Sequence, residues 1–168
     1  MGRAHPIKFS DADFYDNGRL IANCGPGALA AIAGLHLRDL MRDIPDFQET
    51  GGLSFERMQS ELSRIGLKWR LHTDELPSHG VAILAWMERD TDGEQIPRHT
   101  KYTHANQRHW IASADGGRLV FDPFAANSGW LPLNQWKQRV LSALTGYCDF
   151  EFPICRIAKS LSIEGANA

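Results

Sequence analysis

Residues Cys24-Gly25-Pro26-Gly27-Ala28-Leu29-Ala30-Ala31-Ile32-Ala33-Gly34-Leu35 set the tightest limit on what this chain can fold into. The stretch reads as a helix over 24–35, ended by Gly34, the residue type that most readily closes a helix. It is dominated by Ala, Leu and Ile and has no polar face to turn to water. A helix apolar on every side has to be buried along most of its surface. At 168 residues the chain is long enough to build one domain with a full core around it.

The start of this helix carries chemistry. Asn23 is a good N-cap, and Pro26 fits a first turn, where its missing N–H is no loss. Cys24 therefore sits at a helix N-terminus, where the aligned peptide dipoles present roughly half a positive charge. That field favours the thiolate, which is the nucleophilic form. The same position also suits a buried cysteine that only packs the helix start.

The remaining patterns point to an α+β domain. Residues 1–22 are polar and turn-rich and read as an arm leading into the first helix. His36 to Arg42 reads as a short second helical piece. Ser54 to Ile65 is an amphipathic helix with Ser54 as N-cap, an apolar face of Phe55, Met58, Leu62 and Ile65, and Gly66 as terminator. Strands are expected at Leu67–His72, Val81–Met87, His109–Ala114 and Arg118–Phe121, with a last one at Cys148–Ile157. A late helix is expected over Leu133–Leu144, after Pro132. The expectation is one domain, a buried N-terminal helix on a mostly antiparallel sheet, with residues 1–14 and 160–168 peripheral and the end of the chain frayed. Five tryptophans are expected to pack in the core, and Trp130 and Trp136, nearest the Asp122 side, are alternatively placed to line a substrate groove.

A cysteine nucleophile needs a base, and the base needs an orienting group. Of seven histidines, His109 is the best placed, at the start of a strand that turns sharply at Asp115-Gly116-Gly117. The return strand ends at Phe121-Asp122-Pro123. A tight turn there brings His109 and Asp122 opposite each other as direct cross-strand neighbours. The carboxylate then fixes the imidazole tautomer and stabilises imidazolium. His104 is the fallback base.

Together, Asn23-Cys24-Gly25-Pro26 at a helix start, His109-Trp110 opening a strand and Phe121-Asp122-Pro123 closing the next resemble the papain-like cysteine peptidases. The similarity is greatest to the subgroup that trims double-glycine leader peptides from bacteriocins, and to its stand-alone relatives. Gly129-Trp130-Leu131-Pro132-Leu133-Asn134-Gln135-Trp136 also resembles the helix that follows the Asp-Pro turn in that subgroup. The resemblance implies a papain-like fold, Cys24 as nucleophile, His109 as general base and acid, Asp122 as orienting group, and a peptide or protein substrate. One part departs from the pattern. The family places a Gln before the cysteine as a donor to the oxyanion, and no Gln occurs in Tyr15 to Asn23. Asn17 is the expected substitute, helped by the Cys24 backbone N–H. The departure leaves two alternatives open: acyl transfer to an amine by the same triad, as in transglutaminase-like folds, and a catalytically degenerate scaffold used for binding, such as a phage-encoded accessory protein.

Other classes find less support. A net charge of −2 gives no general attraction to nucleic acid or to an anionic membrane. No apolar run is long enough to span a bilayer, and the first residues have no signal-like apolar core, so a cytoplasmic protein is expected. Three cysteines argue against a disulfide framework, and Cys148 and Cys155 read as structural. His99, His104 and His109 do not converge at ligand spacing, and the glycines fit no phosphate loop, so neither a metal nor a cofactor is expected.

Overall fold

The computed structural model describes residues 2–44, 46–50, 52–89, 95–97, 108–123, 125, 129–139 and 154–165. A 3-10 turn at Asp11–Phe14 leads into a small hairpin, β1 (Tyr15–Asp16) and β2 (Arg19–Leu20). Four helices follow: α1 (Cys24–Ala33), α2 (Leu37–Arg42), α3 (Phe47–Thr50) and α4 (Phe55–Arg64). The strands are β3 (Trp69–Thr73), β4 (Gly80–Arg89), β5 (Gln95–Pro97), β6 (Arg108–Ala114), β7 (Leu119–Phe121), β8 (Trp130–Pro132) and β9 (Ile154–Ile163). Residues 133–139 form a further helix, α5; the rest of the helix expected there lies outside the described residues. The larger sheet runs β3-β9-β4-β6-β7-β8, with β5 paired to β4, and each of these pairings is antiparallel. The chain is thus α+β, with helices on a mostly antiparallel sheet. No helix among the described residues is long and apolar enough to cross a membrane.

The uniformly apolar helix takes the central place its composition demands. Gly25 to Ile32 are all buried. Gly34 closes α1 in the left-handed region, φ 64°, with its N–H bonded back to the Ala30 and Ala31 carbonyls. The core around α1 draws Trp110, Ala112 and Ala114 from β6, Val81 and Ile83 from β4, Leu161 and Ile163 from β9, and Met58 and Leu62 from α4. Alternation along β6 sends Ile111 the other way, into a smaller core with Ala82, Leu84, Val120 and Trp136.

α4 is capped as its sequence predicts, with the Ser54 side chain accepting from the Arg57 N–H. Its buried carboxylate, Glu61, lies between two guanidinium groups, Arg57 at 2.8 Å and Arg64 at 2.7 Å. Those arginines also reach Asp46 and Asp43, so the 43–54 segment is tied to α4.

Two expectations are corrected. The chain does not fray from Ser160: residues 160–163 complete β9, between β3 and β4, with Ser160 and Leu161 fully buried. Small Ser160 and Ser162 alternate with apolar Leu161 and Ile163, a half-buried strand pattern that their polarity masks. The N-terminal arm is not peripheral either. Phe14 is buried, Phe9 packs edge-on against Phe14 and Phe121, and the Gly2 carbonyl accepts from the Asp115 N–H.

Candidate active site

Cys24 is the first residue of α1, and its neighbours dispose of the other helix-end donors. The Asn23 side chain accepts from the Gly25 N–H at 3.2 Å. Pro26 has no N–H. The Gly27 N–H is bonded to the Asn23 carbonyl at 3.1 Å. The Cys24 N–H is therefore the donor of this first turn that makes no hydrogen bond among the described residues, and it lies beside the Cys24 thiol. Cys24 is half-buried. One neighbouring wall is the segment before α4: a Cβ on Gly25 would meet the Leu53 side chain at 2.9 Å. That wall is held in place, because the Trp110 indole N–H donates to the Leu53 carbonyl at 2.8 Å. The other wall holds Phe14 and Pro123, which both crowd the space beside Gly27.

His109 and Asp122 come together, but not in the register their sequence suggests. The β6–β7 ladder pairs Ala114 with Leu119, Ser113 with Val120 and Ala112 with Phe121. Continued, it would set Asp122 opposite Ile111, so His109 and Asp122 are diagonal and not directly opposed. The cause is the turn, which takes four residues, Asp115 to Arg118. Asp115, Gly116 and Gly117 all have positive φ (55°, 72° and 77°), and the Gly117 N–H closes onto the Ala114 carbonyl at 3.1 Å. Both site residues lie past the last paired residues of the hairpin. There the His109 Nε2 and an Asp122 carboxylate oxygen are 2.7 Å apart, and both side chains are buried.

Cys24 also acts on this ring and favours its charged form. Burial on its own disfavours the charged imidazole. Hydrogen bonds with Asp122 and Cys24 and the charges on both outweigh it, raising His109 from its ordinary 6.5 to about 9. The site therefore holds an imidazolium between two groups that favour it. A thiol, a ring that takes its proton, and a carboxylate that orients the ring are the parts nucleophilic acyl chemistry requires.

Asn17 is exposed and occupies the turn of the β1–β2 hairpin, with φ 49° followed by Gly18 at φ 78°. Asn-Gly is the preferred pair for such a turn, which accounts for both residues. His99, His104 and Cys148 lie outside the described residues, and Cys155 is in β9. Among the described residues no three His, Cys, Asp or Glu side chains are grouped to hold a metal. A further contact escaped the sequence reading: the Trp136 indole N–H donates to the second Asp122 oxygen at 2.9 Å. A buried tryptophan generally needs a partner for its N–H, which was the available signal.

Comparison of the sequence with protein-family models and with curated proteins found no match.

Proposed function

We propose that this chain is a papain-like cysteine hydrolase that cleaves a peptide or protein amide bond through Cys24, His109 and Asp122. The observation that carries the reading is a buried His109 joined to Asp122 at 2.7 Å, with both Asp122 and Cys24 favouring its charged form. In the proposed cycle the Cys24 sulfur attacks the amide carbonyl carbon. The oxyanion so formed is met by the Cys24 N–H at the helix terminus. His109 gives its proton to the departing amine, the C–N bond breaks, and a thioester remains on Cys24. Neutral His109 then takes a proton from water, the hydroxide attacks the thioester, and the acid and free thiol are released. Asp122 keeps the ring aimed throughout and favours its charged form.

The observation that favours a binding scaffold over an enzyme is that Asn17, standing in for the family's Gln donor, is exposed in a hairpin turn. Losing one such donor typically costs ~10²–10³ in rate, which slows catalysis without abolishing it. The test is incubation of wild type and Cys24→Ala with a peptide library, with and without hydroxylamine, read by mass spectrometry of new termini. New carboxyl termini made only by wild type support a hydrolase. Hydroxamates in their place, with no hydrolysis, support an acyltransferase. Neither product overturns the enzyme reading.

A further inference from the structure

A carboxylate aimed at a histidine is only as well aimed as its last torsion. For Asp that torsion joins a tetrahedral carbon to a planar one, and its wells are broad and nearly two-fold. One hydrogen bond to one oxygen leaves the group able to swing and lose the ring. In this chain the carboxylate is held at both oxygens, one by His109 Nε2 at 2.7 Å and the other by Trp136 Nε1 at 2.9 Å.

The fold places that second anchor deliberately close to Asp122. α5 begins where the Leu133 N–H bonds the Arg118 carbonyl at 2.8 Å, in the turn of the β6–β7 hairpin. It is tied again where Arg139 donates to the Ala125 carbonyl, and the Ala125 N–H bonds back to the Asp122 carbonyl at 3.1 Å. Between these ties Trp136 enters the smaller core with Ile111 and Val120, on the side of the sheet that alternation assigns to His109 and Asp122. Indole is suited to the task. It donates and cannot accept, and its ring mass keeps water away from a buried carboxylate.

We infer that Trp136 is a positioning residue for the reacting centre: its indole N–H pins one oxygen of Asp122 so that the other stays aimed at His109. This inference rests on the reading of Cys24, His109 and Asp122 as that centre. It assigns α5 a role in the chemistry beyond packing.

The test is the titration of His109, followed by NMR of its ring in wild type, Trp136→Phe, Asp122→Asn and Leu133→Ala. Phe keeps most of the ring and removes the N–H. The expected result is a His109 pKa lowered by ~0.5–1 unit in Trp136→Phe, the shift that one hydrogen bond's worth of orientation produces. Asp122→Asn should lower it further, and Leu133→Ala, which trims an apolar contact of the same helix but keeps the indole N–H, should lower it less than Trp136→Phe does. An unchanged or raised pKa in Trp136→Phe, with Asp122→Asn still shifting it, overturns the role of Trp136 alone. An unmoved pKa in Asp122→Asn overturns the reading of the centre itself, and the inference falls with it. A second measurement needs no Trp136 variant. The wild-type Trp136 indole proton should exchange slowly with solvent and shift in Asp122→Asn; exchange at the rate of an exposed indole overturns the inference.

Discussion

His109 and Asp122 meet diagonally across the β6–β7 hairpin, joined at 2.7 Å although the ladder would pair Asp122 with Ile111. The displacement from direct opposition is two residues, an even number. A shift of one would have turned the two side chains to opposite faces of the sheet; a shift of two keeps them on the same face. Past Ala112 and Phe121 the strands no longer pair, and the side chains close the gap themselves.

This pair makes stability depend on pH with a definite sign. His109 binds its proton more tightly in the folded chain, at about 9, than at its ordinary 6.5. The stabilisation is therefore complete below about pH 6.5 and is lost as pH rises through about 9. A raise of that size corresponds to on the order of 3 kcal/mol. Urea unfolding of the reduced protein at a series of pH values should show this decline in wild type and a much shallower one in Asp122→Asn. Equal slopes would contradict the pairing.

Glu61 is buried between Arg57 and Arg64, the two arginines that tie α4 to the 43–54 segment through Asp46 and Asp43. Its partners are partly exposed, so their loss of pairing is softened by water. Glu61→Gln is expected to cost about 2 kcal/mol, in the range of hydrogen bonds to charged groups. Urea midpoints read this directly. Because the segment carries Leu53, the variant should also alter the rate at which Cys24 is alkylated.

Gly80 lies where β4 runs between β9 and β6, and a Cβ there would stand 2.0 Å from the Leu161 carbonyl oxygen. Backbone cannot rotate aside as a side chain can. Gly80→Ala is expected to lose at least about 3 kcal/mol, the upper end for overpacking. Thermal denaturation against Gly66→Ala, where a Cβ meets nothing within 4 Å but φ is 81°, separates the clash from backbone strain.

Asn23 caps α1 through the Gly25 N–H. Asn23→Ala should cost about 1 kcal/mol of stability. Asn23→Asp should keep the cap and the stability while placing a negative charge beside Cys24, and so slow its alkylation. Alkylation unchanged in Asn23→Asp would mean that the sulfur is insulated from the helix terminus.

The elements that the sequence made legible were those with strong local signals. The apolar run of α1, the Ser54 cap of α4 and the Gly34 stop all stand where propensity and capping put them. The pairing of His109 with Asp122 was also legible, because alternation fixes the face even when the turn length is misjudged. The turn itself was not: Arg118 gives no local sign that it belongs to a loop closed by three residues of positive φ. The end of β9 was hidden because serines in a central strand look like a polar tail. The Asn17-Gly18 turn was legible as hairpin chemistry, whereas its relation to Cys24 is carried by resemblance alone. Trp136 was read as core, correctly, but its hydrogen bond depends on how α5 docks, which no local pattern encodes.

The most direct test is alkylation of native protein with iodoacetamide between about pH 5 and pH 9, with each cysteine followed by peptide mapping. A Cys24 paired with His109 should label fastest of the three cysteines across this range and lose that advantage in His109→Ala. Cys24 labelling no faster than Cys148 and Cys155, or indifferent to His109→Ala, would contradict an activated nucleophile at this site.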